Sequence, residues 1–186
     1  LKEDLAKGLN VHLLLKHQSG LATNLDEVTK YQLMEMAPQE LLVLINKTKR
    51  RGEPGVKFEI SSLNFMLLGL IIEKLSGKSY EEHMKENLFG PLQLSSTGIS
   101  HLFSPAPHKA NGYRQIEGKV RRIEDLIAYS YATADMYSSV GDLFTWGYAL
   151  QRGWMLSKPS MDQLFDGGVK ENGNYGYGFR TQSYMR

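Results

Sequence analysis

Apolar positions recur at helical spacing along most of this chain, and the densest such run lies near its middle. From Phe65 to Ile72 almost every residue is apolar, which predicts a helix that lies inside the domain. Phe65, Leu68, Ile72 and Leu75 are its expected apolar residues, Ser61 or Ser62 its N-cap, and Gly77 its stop. Pro54-Gly55 ahead of it is a turn dipeptide. Between the two, Val56, Phe58 and Ile60 alternate with Lys57 and Glu59 as in a short extended segment.

Other helices follow from the same reading. After a polar lead-in over residues 1–8, Asn10 caps a short helix through Val11, Leu13, Leu14 and Leu15. Asn24 to Met36 is expected to be helical, and Pro38 starts a further helix with Leu41, Leu42, Leu44 and Ile45 as its buried face. Lys47, Lys49, Arg50 and Arg51 then read as a solvated, cationic helix end before Gly52. Ser79 with Glu82 forms a capping box for a helix to about Leu88. Ser139 with Asp142 opens a helix that places Leu143, Trp146 and Leu150 on one face, and Ser157 caps a last one through Met161 and Phe165. Residues 100–109 read as loop. Tyr113–Ile116 and Lys119–Ile123, joined by Glu117-Gly118, read as a hairpin, and residues 175–179 as a terminal strand. The fold class is therefore mainly α with a small β-hairpin and a terminal strand.

Composition narrows function mostly by exclusion. The chain's 186 residues suffice for one domain with a core, and 41% hydrophobic against 23% charged residues is ordinary for a globular protein. A net charge of +2 gives no overall argument for nucleic acid or a membrane surface. No cysteine is present, so thiolate metal sites and thiol nucleophiles are excluded. The five histidines, His12, His17, His83, His101 and His108, lack zinc-motif spacing, and no glycine-rich nucleotide motif occurs. Neither a metal nor another cofactor is implied. No apolar run reaches membrane-spanning length, and no secretory leader is expected at Leu1-Lys2-Glu3-Asp4.

Three separated segments carry a resemblance. Pro54, Gly55, Phe58, Ser61, Asn64, Leu67, Leu68, Gly69, Ile71, Ile72 and Glu73 fall without a gap on the pattern P-G-x-x-F-x-Y-S-N-x-N-Y-x-L-L-G-x-I-I-E. Residues 11–21, with His17, resemble an L-L-T-H-T-S-G-L signature, and residues 134–143 resemble G-G-M-Y-S-T-V-G-D-L. In this order the segments resemble the class C type serine β-lactamase and penicillin-binding-protein family, with its esterase relatives. Residues 79–98 and 175–179 resemble further family segments.

The resemblance implies a single domain over residues 1–186 that corresponds to the central, mostly helical part of that fold. The nucleophile-bearing part and the C-terminal sheet strands are expected outside it. The family acylates a Ser that opens an S-x-x-K helix, and no Ser here has Lys three positions on. The strand-borne Lys- or His-Thr-Gly triplet is also absent, and the family's catalytic Tyr falls on Ile60, with the following Asn on Ser62. No catalytic residue is therefore assigned. Ile60, Ser61, Ser62, Asn64, Ala134 and Tyr137 are expected to line the cleft by family match, and His17 to serve structure. On pattern alone, Ser61 and Ser62 read as helix caps.

Two readings follow. The chain is a portion of a serine hydrolase acting on amides or esters, inactive alone, with a peptide-like or β-lactam small molecule as partner of the full-length protein. Alternatively it is a degenerate member that acts as a binding module, which Ile60 favours. Family analogy implies an extracytoplasmic, bacterial setting, and an uncovered apolar side implies self-association of the isolated chain.

Overall fold

Several helices start where a capping side chain meets an apolar run, and the connections between them carry most of the chain's direction changes. The computed structural model describes residues 1–29, 36–100, 110–123, 130–167 and 174–181. Seven α-helices are described: α1 (Glu3–Ala6), α2 (Val11–Leu15), α3 (Pro38–Ile45), α4 (Ser62–Ser76), α5 (Tyr80–Met84), α6 (Val140–Gln151) and α7 (Lys158–Phe165). A π-helical turn, Lys85–Phe89, continues α5. Two antiparallel two-stranded sheets complete the described elements. One pairs β1 (Gly98–Ile99) with β4 (Met136–Tyr137); the other pairs β2 (Gly112–Ile116) with β3 (Lys119–Ile123).

Several predicted caps are in place. The Asn10 side chain accepts from the Leu13 N–H at 2.9 Å. Ser79 and Glu82 close their box reciprocally, at 3.2 and 2.9 Å. Ser139 accepts from the Asp142 N–H at 3.1 Å, and Ser157 opens α7 in the same way. Each such cap contributes on the order of 1 kcal/mol.

The main core gathers Leu5, Leu14, Leu21, Leu25, Leu41, Ile45, Leu63, Met66 and Leu67 from α1 to α4 and the turns between them. Burying each of these side chains stabilises the fold by about 1.5–3 kcal/mol. A smaller cluster of Phe89, Leu94 and Ile99 lies under Tyr80, Met84, Leu92 and Trp146.

Four expectations need correction. Residues 1–8 are not merely polar lead-in, because α1 turns Leu5 into the core. Asn24 to Thr29 is a turn rather than the start of a helix: the Asn24 carboxamide oxygen accepts from the Asp26 N–H at 3.1 Å, so it competes with helical bonding. The rest of that predicted helix falls largely on residues 30–35, outside the described residues. The cations after α3 lie beyond the helix end at Ile45. Arg50 instead donates to the carbonyls of Leu5 and Lys7, at 2.7 and 2.8 Å, and so closes the end of α1. Among the described residues the terminal strand reduces to one bridge between Tyr175 and Arg180.

The central helix α4 is also less enclosed than its almost wholly apolar sequence predicts. Its core side is Leu63, Met66 and Leu67, whereas Leu75 is 82% exposed. A helix apolar nearly all round carries no periodic instruction about which side goes inward, so its neighbours decide. Gly69 is the close-approach point. A Cβ there would lie 2.7 Å from the Ala132 Cβ and 2.8 Å from the Tyr131 ring, so only Gly lets the 131–134 turn rest on the helix.

Candidate functional site

The bend into α4 is held from beneath by His17. The histidine is buried, in a left-handed conformation with φ 54°. Its Nδ1 accepts from the Ser61 backbone N–H at 3.2 Å, and lies 3.0 Å from Nδ2 of the fully buried Asn64. The Asn64 carboxamide oxygen accepts from the Ser19 hydroxyl at 2.6 Å. Ser19 Oγ in turn accepts from the Leu21 N–H at 3.1 Å. Donors and acceptors run in one direction only if Nδ1 carries no proton, which fixes the neutral imidazole with its hydrogen on Nε2. Burial among the rings of Phe58, Phe65 and Tyr175 reinforces this, lowering the His17 pKa from 6.5 to about 4.

Backbone bonds extend the brace. The His17 carbonyl accepts from the Glu59 N–H at 2.9 Å, the Gln18 carbonyl from Gly55 N–H at 2.8 Å, and the Thr23 carbonyl from Ser62 N–H at 2.8 Å. Residues 17–23 and 55–62 are thus laced together along both lengths. His17 is an orienting group rather than a proton carrier, since its accepting nitrogen is occupied.

The expected cleft residues divide by burial. Ile60 is 52% exposed at the outer edge of the bend. Ser61 is buried, its hydroxyl given to the Ala22 carbonyl at 2.6 Å, so it occupies the N-cap position without a side-chain cap bond. Ser62 is half-buried. Asn64 faces inward, so Ser61 and Asn64 position the bend rather than line a surface. Ala134 is exposed and Tyr137 half-buried in β4, with the Tyr137 ring lying over Gly98. The 131–134 turn touches α4 at Gly69, seven residues beyond Ser62, so along α4 the two groups are about 10 Å apart.

Sequence reading missed the parts supplied from afar. Lys16 is buried, and its ammonium donates to the Asp166 carbonyl and to the Tyr175 carbonyl, the latter at 3.2 Å. Its nitrogen is 4.0 Å from an Asp166 carboxylate oxygen. The Tyr177 hydroxyl lies 2.5 Å from His12 Nδ1. Residues 166 and 175–177 are so fastened to α2, bringing Tyr175 against His17. A lysine inside Leu13-Leu14-Leu15-Lys16-His17 was the available signal.

Asp142 does more than complement the α6 dipole. Its carboxylate accepts from the Ser96 N–H and the Thr97 hydroxyl, at 2.8 and 2.7 Å, and ties α6 to the turn before β1. Behind the 131–137 turn, burial pushes the Tyr80 hydroxyl up to about 12, with the Asp135 charge adding to it. Burial, then the Glu73 charge, raises Tyr131 further. Neither phenol can therefore act as a base near neutrality in place of the tyrosine missing at position 60. Among the described residues no cluster of His, Cys, Asp and Glu has metal-binding geometry.

The geometry is that of a braced helix N-terminus beside a turn that rests on the same helix. Residues 2–185 match the Beta-lactamase family, and the chain belongs to it. PbpX of Bacillus subtilis (strain 168), which carries the name of a penicillin-binding protein, is 28% identical over 168 residues. That match takes in 89% of this chain and 41% of PbpX. The crystal structure of the penicillin-binding protein from Bacillus halodurans superposes with a TM-score of 0.81 at 23% identity, over 92% of this chain and 56% of that one. The D-amino acid amidase from Ochrobactrum anthropi SV3 superposes with a TM-score of 0.74 at 25% identity, over 86% and 47%. The chain thus spans about half the length of these relatives. No described helix is long and apolar enough to cross a membrane.

Proposed function

We propose that this chain is the helical portion of an acyl-serine hydrolase acting on amides or esters, such as β-lactams or peptidoglycan-type peptides. On its own it does not turn such substrates over. The observation that carries this reading is the Ser19–Asn64–His17–Ser61 network. Four polar residues are buried there to hold one bend, beside which position 60 reaches solvent. Each buried polar group left without a partner costs about 1–3 kcal/mol, so the arrangement is demanding to maintain and suits a site that needs a fixed backbone. The nucleophilic Ser with its Lys, and the strand-borne triplet, belong in this reading to parts of the whole protein outside these residues. The amide chemistry named for the Ochrobactrum relative supports the substrate class. Family analogy supports a setting outside the cytoplasm.

Ile60 favours the second reading, a non-catalytic binding module, because its side chain holds no proton to give or take. The test is hydrolysis of a β-lactam and of a D-amino acid amide by the whole protein and by its Ile60→Tyr form. An acyl adduct with penicillin, and turnover that rises on Ile60→Tyr, supports the hydrolase. Silence of both forms, with all family motifs present, supports the binding module. The isolated chain is further proposed to self-associate through exposed Val140, Leu143, Phe144 and Trp154. A monodisperse monomer would contradict that.

A further inference from the structure

The chain's small net charge conceals a concentrated one. The β2–β3 hairpin carries Arg114, Lys119, Arg121 and Arg122 against the single acid Glu117, a charge of +3. The whole chain is +2, so everything outside the hairpin sums to −1. Glu117 and Gly118, at φ 50° and 75°, make the turn that fixes the register. That register sets Arg114 directly opposite Arg121, with Ile116 opposite Lys119. Like charges directly opposite on one face destabilise a sheet. Among the described residues none of the four cations has a hydrogen bond or ion pair to offset it.

The hairpin is not purely cationic. Tyr113 and Val120, on its other face with Arg122, are 61% and 73% exposed, and Ile116 is 40% exposed. A two-stranded ribbon of this size is marginal by itself, so a covering partner stabilises it. Charge complementarity requires that partner to be anionic. A soluble polyanion meets the arginines and leaves Tyr113, Ile116 and Val120 in water. An anionic lipid surface meets both when the ribbon enters the headgroup layer edge-on, so that phosphates reach the guanidinium groups of one face while Tyr113 and Val120 of the other lie among the headgroups.

We propose that the hairpin at residues 112–123 docks this protein peripherally on an anionic phospholipid surface. Docking would also set the cleft's position relative to the membrane. The chain leaves the β1–β4 pair after Ile99 and returns to it at Met136, so the hairpin is an excursion from the strands that hold the rim. Docking does not depend on hydrolytic activity.

The test is co-sedimentation of the whole protein with phosphatidylcholine vesicles, with and without phosphatidylglycerol. Binding is expected only with phosphatidylglycerol, and it should weaken with salt. Arg114→Glu together with Arg121→Glu changes the charge by four and should weaken binding by about a hundredfold or more. Tyr113→Ser with Val120→Ser should weaken it by roughly tenfold at unchanged charge. Circular dichroism checks that the variants fold, and Arg121→Gln is the milder substitute if the double reversal does not. Trypsin should cut the hairpin of the free protein and be blocked by the vesicles. Protection without vesicles would mean the hairpin packs against the protein itself, and would overturn the proposal. Equal binding to soluble inorganic polyphosphate, with no effect of the serine variants, would likewise overturn it in favour of a soluble polyanion.

Discussion

Acidification should unfasten the bend into α4, and the cost follows from His17. In the folded protein its Nδ1 accepts from Ser61 N–H and faces the Asn64 amide, and burial lowers its pKa from 6.5 to about 4. Unfolded, the same imidazole takes up a proton as the pH falls below 6.5. Between these two values the unfolded chain binds more protons, so stability falls as pH falls through that window. Above it, and again below about pH 4, this contribution is flat. The whole effect is about 3 kcal/mol, a large part of the 5–15 kcal/mol typical of a domain. Urea denaturation at pH 7 and at pH 4.5 measures it, with His17→Asn as the control. Asn tolerates the left-handed backbone of position 17 and does not titrate. All other side chains are common to both proteins, so the difference between the two pH profiles isolates His17. The variant should be less stable at pH 7 and lose less on acidification. A His17 imidazole that titrates near 6.5 in the folded state, or identical pH profiles, would refute the reasoning.

Further expected outcomes follow from individual contacts. Gly69→Ala should destabilise by about 1–3 kcal/mol through its clash with Ala132 and Tyr131, although Gly→Ala inside a helix ordinarily stabilises; a thermal melt gives the sign. Asn64→Leu removes the partner of both Ser19 and His17 inside the core and should cost about 2–4 kcal/mol in urea. Combining it with His17→Phe should cost less than the two singles added together. Lys16→Met should loosen Asp166 and Tyr175 while the His12–Tyr177 contact stays, read as faster proteolysis there with little change in the main unfolding midpoint. Ile60→Tyr, at an exposed position, should shift stability by no more than about 0.5 kcal/mol.

How far the sequence disclosed this protein differs from element to element. Asn10, Ser79, Ser139 and Ser157 announced their helices because an N-cap is a local interaction, settled within three residues. The hairpin was equally legible, since Glu117-Gly118 is a turn by chemistry as well as by position. Asn24 misled because one side-chain bond to Asp26 N–H competes with a helix at the point where periodicity suggested one. The facing of α4 was hidden for the opposite reason: too many apolar residues leave the choice to α2, α3 and the turn at Ala132. In the site, the motif around Ser61 and Asn64 located the bend. That both residues turn inward depends on His17, Ser19 and Ala22, roughly forty positions away. The identity of such long-range partners leaves no local trace: Lys16 stands out in its apolar run, but nothing near it points to Tyr175.

The proposed role of these residues is a braced scaffold without a nucleophile. Its most direct test is the intact mass of the 186-residue chain after exposure to penicillin. The mass should be unchanged, because Ser61 gives its hydroxyl to the Ala22 carbonyl and no Ser has Lys one helical turn on. A covalent adduct on any serine of this chain would contradict it.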